Sequence, residues 1–298
     1  MRAHLAALAL ALTAATALAP NPAAADPTFR LCTGYDTGNY FRAGHLMKKV
    51  ATGVPVDVVA TQGSLDNLAR MSAGTCDGAF VQADALLVYS ARNAQALSGL
   101  ERAGILYSED AHLLCNRRAG IGRVTELTKD STVAVGPDGT GARTTWDAFV
   151  LADKKRYGPV QVDPRSGVRA LSAVSDGAAV QCLFYVGAPG STFMKGDASA
   201  QGDRLVLAAT DDWDMGGVAK DSRGKPVYGY GEIPAGTYPR LQPGGTLYGT
   251  KPVKVITVDA LFVASATWIS ANEAAYDRVL RAFTAAGPAI KALAAPAN

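Results

Sequence analysis

Short apolar runs alternate with amphipathic segments along most of the chain. β-Branched and aromatic runs between turn residues predict strands, and apolar positions three or four residues apart predict helices. The predicted strands cover residues 29–32, 56–60, 79–82, 105–107, 112–115, 132–136, 160–162, 180–187 and 253–265. The predicted helices cover residues 40–50, 65–72, 84–96, 142–155 and 168–174, and a glycine-, aspartate- and proline-rich region at 188–252 predicts looser structure.

This alternation predicts an α/β protein of two lobes, each a mostly parallel sheet flanked by helices. Two such series are followed by a late strand and by a last helix, whose start is predicted from a capping box formed by Ser270 and Glu273. We expect this helix to return to the first lobe. We predict that lobe I comprises residues 26–115 plus 259–298 and that lobe II comprises residues 116–258. The predicted hinge lies in the strands that hold 112–115 and 257–265.

The N-terminus has the pattern of a secretory signal peptide. Arg2 precedes a short alanine- and leucine-rich run at 5–18, and the small residues Ala23, Ala24 and Ala25 follow it. We predict that residues 1–25 are removed and that the mature protein is periplasmic. The alternative is a buried N-terminal helix. No later stretch is long and apolar enough to predict a membrane span.

Composition excludes several classes of protein. With 48% hydrophobic residues and a formal charge of +3, the chain is unlike a disordered tail. Basic residues form no cluster, so we expect no nucleic-acid partner. His45 and His112 are the histidines that would survive cleavage, and they do not combine with the cysteines in a zinc-ligand spacing. We therefore predict no metal and no cofactor, and we expect a monomer.

Four cysteines permit two disulfides in an oxidising compartment, and the three possible pairings stay open. They are Cys32, Cys76, Cys115 and Cys182. Cys76 and Cys182 occupy equivalent strand starts in different predicted lobes. Because a bond between them would hinder closure of the lobes, we predict that these two are not linked to each other.

Three predicted strands are followed by glycine-rich turns that lead into helices. These turns lie at 33–41, 61–68 and 136–144. The amides at a helix N-terminus and its positive dipole end favour an anion, and glycine lets a ligand approach the backbone. Any one turn could be an ordinary N-cap. Three of them at strand ends indicate a small anionic ligand in a cleft.

Several segments resemble the TAXI receptors, the solute-binding proteins of one branch of the tripartite ATP-independent periplasmic (TRAP) transporters. The segments are 38–41, 63–68, 76–85, 135–141, 183–187 and 233–239, which include Gly-Ser-Leu-Asp-Asn-Leu and Val-Gln-Ala-Asp. The resemblance implies a type II-like periplasmic binding protein fold. It also implies delivery of a solute, an amino acid such as glutamate or a dicarboxylate, to a TRAP-type membrane permease. A periplasmic ligand sensor with the same fold is an alternative.

Two places depart from the family pattern. Tyr35 and Asp36 interrupt the first turn, where Asp36 could pair with an ammonium group of a ligand or could form a local turn. The segment 221–230 is longer and more polar than expected.

An enzyme is the competing class. Gly139 and Gly141 with Asp163 resemble a dinucleotide-binding fingerprint, but Thr144 takes the place of its third glycine. The chain has no G-x-S-x-G motif for a hydrolase. We therefore predict a binding protein without catalytic residues.

The predicted site holds a ligand carboxylate where the helices that begin at Ser64 and Thr140 converge. Its backbone donors are the amides of Ser64, Leu65, Gly141 and Ala142. The contributing residues are Tyr40, Ser64, Asn67, Gln82, Gly139, Thr140, Gly141 and Tyr185, with Asp36 and Arg143 as further candidates.

Overall fold

A computed structural model describes residues 26–93, 97–188, 190–221, 224–245 and 249–295. The predicted signal peptide lies outside these residues. The strands are β1 (Phe29–Cys32), β2 (Val56–Val59), β3 (Gly78–Gln82), β4 (Leu100–Asn116), β5 (Thr132–Ala134), β6 (Gln161–Asp163), β7 (Cys182–Gly187), β8 (Leu205–Ala208), β9 (Tyr228–Ile233) and β10 (Val253–Ser265). The α-helices are α1 (Asn39–Val50), α2 (Ser64–Ser72), α3 (Ala83–Arg92), α4 (Gly141–Ala152), α5 (Lys154–Tyr157), α6 (Gly167–Asp176), α7 (Met215–Val218), α8 (Ala266–Ala271) and α9 (Glu273–Ala292).

The strands follow the order β2-β1-β3-β10-β4-β7-β5-β6, with β8 paired to β4 and β9 paired to β10. Strand β1 pairs in parallel with β2 and β3, and β5 pairs in parallel with β6 and β7. The first set is the centre of one lobe and the second set is the centre of the other. Between them, β10 and β4 are antiparallel to each other.

The long strands β4 and β10 run from one lobe into the other. Residues 260–264 of β10 pair with β3, whereas residues 253–258 pair with β9. Residues 110–115 of β4 pair with β7, and only Asp110 of these also pairs with β10. Both strands therefore change partners near 108–110 and 258–260. The lobe boundaries at 115/116 and 258/259 stay a prediction.

Some elements differ from those predicted. The predicted strands 105–107 and 112–115 are parts of the single strand β4. The region 188–252, predicted to be loose, contains β8, β9 and α7. The predicted capping box is wrong: Ser270 lies inside α8, where its hydroxyl donates to the Ala266 carbonyl, and Asn272 is the N-cap of α9.

Helix α9 packs against α1 and β4. Its apolar face joins a core that contains Phe29, Phe80 and Phe262. A second core cluster extends behind the cleft, from Leu68 and Val81 near the first parallel set to Trp146 and Phe184 near the second. None of the described helices is long and apolar enough to cross a membrane.

The disulfides pair Cys32 with Cys76 and Cys115 with Cys182. The first joins β1 to the turn before β3, and the second joins opposite residues of β4 and β7. The prediction that Cys76 and Cys182 are not bridged to each other is confirmed. Each bond lies among strands that are already neighbours, so neither ties the first parallel set to the second.

The side chain of Asn67 ties together the ends of three strands. It is fully buried, and its amide nitrogen donates to the carbonyls of Thr33 and Phe80 at 2.6 and 2.7 Å. Its oxygen accepts from the Thr61 hydroxyl at 2.6 Å. Because these bonds use the amide in the protein interior, Asn67 holds the cleft-side ends of β1, β2 and β3 in register with α2.

We predict that Asn67→Ala mainly lowers stability. The change leaves the Thr33 and Phe80 carbonyls buried without their donor, at about 1–3 kcal/mol for each unpaired group, so the free energy of unfolding should fall by roughly 3 kcal/mol. Urea unfolding measures it, with exposed Asn93→Ala as the control. Equal stability of the two variants would contradict this role.

Candidate functional site

A cavity of about 850 Å³ lies between the two lobes. The loops after β1 and β2 form one wall, and the loops after β5, β6 and β7 form the other. The carboxyl ends of parallel strands from both lobes therefore open onto the same space. In open α/β sheets this is where ligands bind.

Helix α2 presents its N-terminus to the cavity. Its N-cap, Gly63, has φ of 111°, a conformation that favours glycine. The backbone N–H of Asn67 donates to the Gly63 carbonyl and is the first hydrogen bond of the helix. The backbone N–H groups before it, from Ser64 onward, therefore have no acceptor within the helix. The Ser64 hydroxyl oxygen accepts from the Gln82 amide at 3.0 Å, which leaves the hydroxyl proton to be donated elsewhere.

Helix α4 presents its N-terminus from the opposite lobe. The Thr144 amide donates to the carbonyl of Thr140, the N-cap, so the amides of Gly141 and Ala142 precede the helical ladder. The Thr140 hydroxyl donates to the Pro137 carbonyl at 2.8 Å and holds the turn.

The two helix starts approach each other closely. A Cβ atom placed on Gly63 would lie 3.1 Å from the Gly139 carbonyl oxygen. A Cβ atom on Gly141 would lie 2.9 Å from Oε1 of Gln82. Glycine at these positions lets the lobes come together, so amides from both lobes face one ligand-sized space.

Most of the residues predicted for the site line this cavity. They are Tyr40, Ser64, Gln82, Gly139, Thr140, Gly141 and Tyr185, together with Ala142. The ring of Tyr185 packs against Phe193, with centroids 5.0 Å apart.

Four predicted residues are not among those that line the cavity. Asn67 and Leu65 face the interior or the flank of α2, and Asp36 is exposed on the turn before α1. Arg143 pairs with Asp138 at 3.0 Å and with Asp147 at 2.8 Å.

Sequence reasoning missed Glu109 and Tyr107, which also line the cavity. Both belong to β4, near the place where this strand changes partners. The polar Ser108-Glu109-Asp110 sequence lies between the predicted strands 105–107 and 112–115 and so falls outside both of them. The strand continues through it and carries Glu109 to the cavity wall.

Glu109 has an electrostatic environment that disfavours its charge. Burial raises the pKa of its carboxyl to about 7, and the nearby charges of Asp84 and Asp110 act in the same direction. Its Oε2 atom lies 3.4 Å from the Tyr40 hydroxyl. None of the ion pairs among the described residues includes Glu109.

Tyr107 contributes an unsatisfied donor. The residue is only 6% exposed, and its hydroxyl has no hydrogen-bond partner among the described residues. A buried hydroxyl without a partner is costly, so this group can be satisfied by a polar atom of a ligand.

Behind the cavity, α3 of the first lobe contacts α4 of the second. Asp84, at the start of α3, is fully buried, and its Oδ2 accepts from the Tyr228 hydroxyl of β9 at 3.1 Å. Burial raises the pKa of Asp84 to about 6, although the hydroxyls of Thr145 and Tyr228 oppose the shift. A carboxyl group thus lies within the contact between the lobes. No cluster of histidine, cysteine and acidic residues among the described residues could hold a metal ion.

The sequence pattern of the NMT1-like family matches residues 31–276. The chain belongs to the NMT1-like family. The match spans both lobes, including both helix N-termini and Glu109.

Solved structures share the fold of this NMT1-like protein. YhfZ from Shigella flexneri is 13% identical, with a TM-score of 0.53, over 88% of this chain and 89% of that chain. The periplasmic sulfonate-binding protein SsuA from Methylobacillus flagellatus KT is 8% identical, with a TM-score of 0.51, over 88% of this chain and 68% of that chain. At these identities the likeness concerns the fold, which is the two-lobe periplasmic binding protein fold, as predicted.

The Asp84 contact gives a pH prediction for the NMT1-like protein. The Asp84 carboxyl has a folded-state pKa of about 6, above its ordinary value of 3.8, because the folded protein favours its protonated form. The fold is therefore more stable below pH 4, where this group is protonated, than at higher pH. That contribution is lost as the pH rises through 6, and for Asp84 it is about 3 kcal/mol. Asp84→Asn cannot ionise, so its free energy of unfolding should fall less between pH 4 and pH 8 than that of the parent.

Urea unfolding at several pH values provides the measurement. Asp203→Asn, which changes an exposed carboxylate, is the control and should follow the parent curve. If Asp84→Asn also runs parallel to the parent, Asp84 does not carry this pH dependence.

Proposed function

We propose that this NMT1-like protein is an exported solute-binding receptor rather than an enzyme. In the proposal, it captures a small carboxylate-bearing solute, an amino acid or a dicarboxylate, in the cavity between its lobes. The observation that carries the proposal is the presence of two helix N-termini, from opposite lobes, at one cavity. Amides and helix dipoles of this kind favour an oxyanion without any covalent chemistry.

The proposed binding step couples the ligand to closure. Amides of Ser64 and Leu65 on one lobe, and of Gly141 and Ala142 on the other, share the carboxylate. Side chains of Tyr40, Gln82, Thr140 and Tyr185 complete the contacts. Because one lobe supplies part of the donors, binding is strongest when both lobes meet, and the ligand therefore stabilises the closed shape.

A TRAP-type membrane permease is the proposed partner. The segments that carry the resemblance to TAXI receptors all lie within residues 31–276, the range that matches the NMT1-like family. The name of the SsuA protein from Methylobacillus flagellatus KT states a sulfonate ligand, another small oxyanion, and an ABC transporter, so it supports the ligand class and not the class of permease. Export through the signal peptide at 1–25 agrees with the two disulfides, which are typical of oxidising compartments.

A thermal-shift screen of amino acids, dicarboxylates and tricarboxylates tests the proposed ligand class. At a ligand concentration 100-fold above Kd, binding contributes about 2.7 kcal/mol. For a chain of this length the midpoint should rise by roughly 5–10 °C. If none of these solutes shifts the midpoint, while a substrate is turned over, the protein is an enzyme and the receptor proposal fails.

Removing a hydroxyl at either helix start should weaken the solute found in that screen. Ser64→Ala and Thr140→Val each remove a hydroxyl from the cavity wall, with an expected cost of about 1–3 kcal/mol, or roughly 5- to 150-fold in Kd. Calorimetric titration measures the change. Ser90→Ala removes a hydroxyl from α3 away from the cavity and is the matched control. Parent-like binding by both site variants would place the solute elsewhere.

A further inference from the structure

The charge distribution of the cavity wall is uneven. Arg42, an exposed residue of α1, is the one basic side chain among the described residues that line the cavity. Glu109 is the one acidic side chain in the same set. The amides at the starts of α2 and α4 are donors for an anion from both lobes, and Glu109 supplies a carboxyl group to the same cavity.

Gln82 links these two regions. Its amide donates to the Ser64 hydroxyl, and its side-chain oxygen is close to Gly141. The same side chain interacts with Glu109, whose ionised form it stabilises. Ser64, Gln82, Glu109 and Gly141 all line the same cavity, so a small molecule there can reach the amides and Glu109 together.

We propose that Glu109 is a specificity-determining residue that selects a zwitterion. In this arrangement, which rests on the proposed function, the ligand carboxylate binds the amides at the starts of α2 and α4, and the ligand ammonium group pairs with the Glu109 carboxylate. The hydroxyl of Tyr107, buried without a partner, supplies a further polar contact. The proposal assigns to Glu109 the ammonium recognition that the sequence suggested for Asp36, because Asp36 is exposed and is not among the residues that line the cavity.

A dicarboxylate fits this wall less well. Its second carboxylate would meet a like charge at Glu109, or would require that Glu109 be protonated. Like charges brought together in a desolvated interface disfavour binding, whereas a hydrogen-bonded opposite pair is favourable. The amino acids among the proposed solutes are therefore preferred over the dicarboxylates.

The groups that face Glu109 add no positive charge. They are Tyr40 from α1, Gln82 from β3, Asp84 from α3, Tyr107 and Asp110 from β4, and Tyr185 from β7. In the unliganded protein the pKa of Glu109 is about 7, and an ammonium partner lowers it. Binding of a zwitterion thus releases a proton below pH 7, and its affinity rises from pH 5 to pH 8. A ligand that lacks the ammonium group does not show this rise.

Isothermal titration with paired probes tests the role of Glu109. The pairs are L-glutamate and glutarate, L-alanine and propionate, and L-leucine and 4-methylpentanoate, in which the members differ by the ammonium group. At pH 8 we expect the parent to bind an amino acid at least about 10-fold more tightly than its partner. Glu109→Gln should lose roughly 10- to 100-fold in affinity for the amino acid, and its affinity should lose the rise from pH 5 to pH 8.

Glu232→Gln changes an exposed glutamate of β9 and is the matched control, which should bind as the parent does. Thermal unfolding of the Glu109→Gln protein establishes that it is folded before titration. The inference is overturned if the parent binds both members of a pair equally, or prefers the member without the ammonium group, while the receptor proposal stands. It is also overturned if Glu109→Gln keeps the preference. If no probe binds the parent, the proposed solute class fails and the inference fails with it.

Discussion

The structure depends on the sharing of β4 and β10 by both lobes. Each strand is hydrogen-bonded to one set of partners at one end and to another set at the other end. The two shared strands connect the lobes, and we expect relative motion of the lobes to be concentrated where the partners change. The cavity lies beside this place, and Glu109 belongs to the strand segment that would bend. A group that recognises the ligand is thus part of the element that connects the lobes.

Much of the fold could be predicted because the apolar pattern and the tertiary structure agree. Strands β1 and β10 have the predicted bounds, since their apolar runs end at clear turn residues. Strand β9 could not be recognised in the same way, because Gly229 and Gly231 have no side chains and the alternation of apolar and polar residues is lost. Its pairing with β10 determines its conformation, and that contact is distant in sequence.

The cavity was partly predictable for a related reason. Glycine turns at helix starts are local signals, and Ser64, Thr140 and Gly141, which they indicated as ligand contacts, line the cavity. Asn67 follows the same turn as Ser64, but its position on α2 directs its side-chain amide towards the carbonyls of Thr33 and Phe80. The sequence alone does not show that orientation. Glu109 was missed because a charged residue between apolar runs is more often part of a loop. Its place on the wall follows from the continuity of β4, which depends on partners in both lobes.

The central position of β10 also determines when the fold can be completed. This strand lies between β3 and β4 in the sheet, although it comes after most of the chain. A growing chain that lacks residues 253–265 leaves β3 without its antiparallel neighbour, and the first lobe also lacks α9. The Cys32–Cys76 bond can close earlier, since both of its cysteines precede β3. The first lobe to be synthesised is therefore among the last parts to be finished, which keeps the chain incompletely folded until its C-terminal region is present.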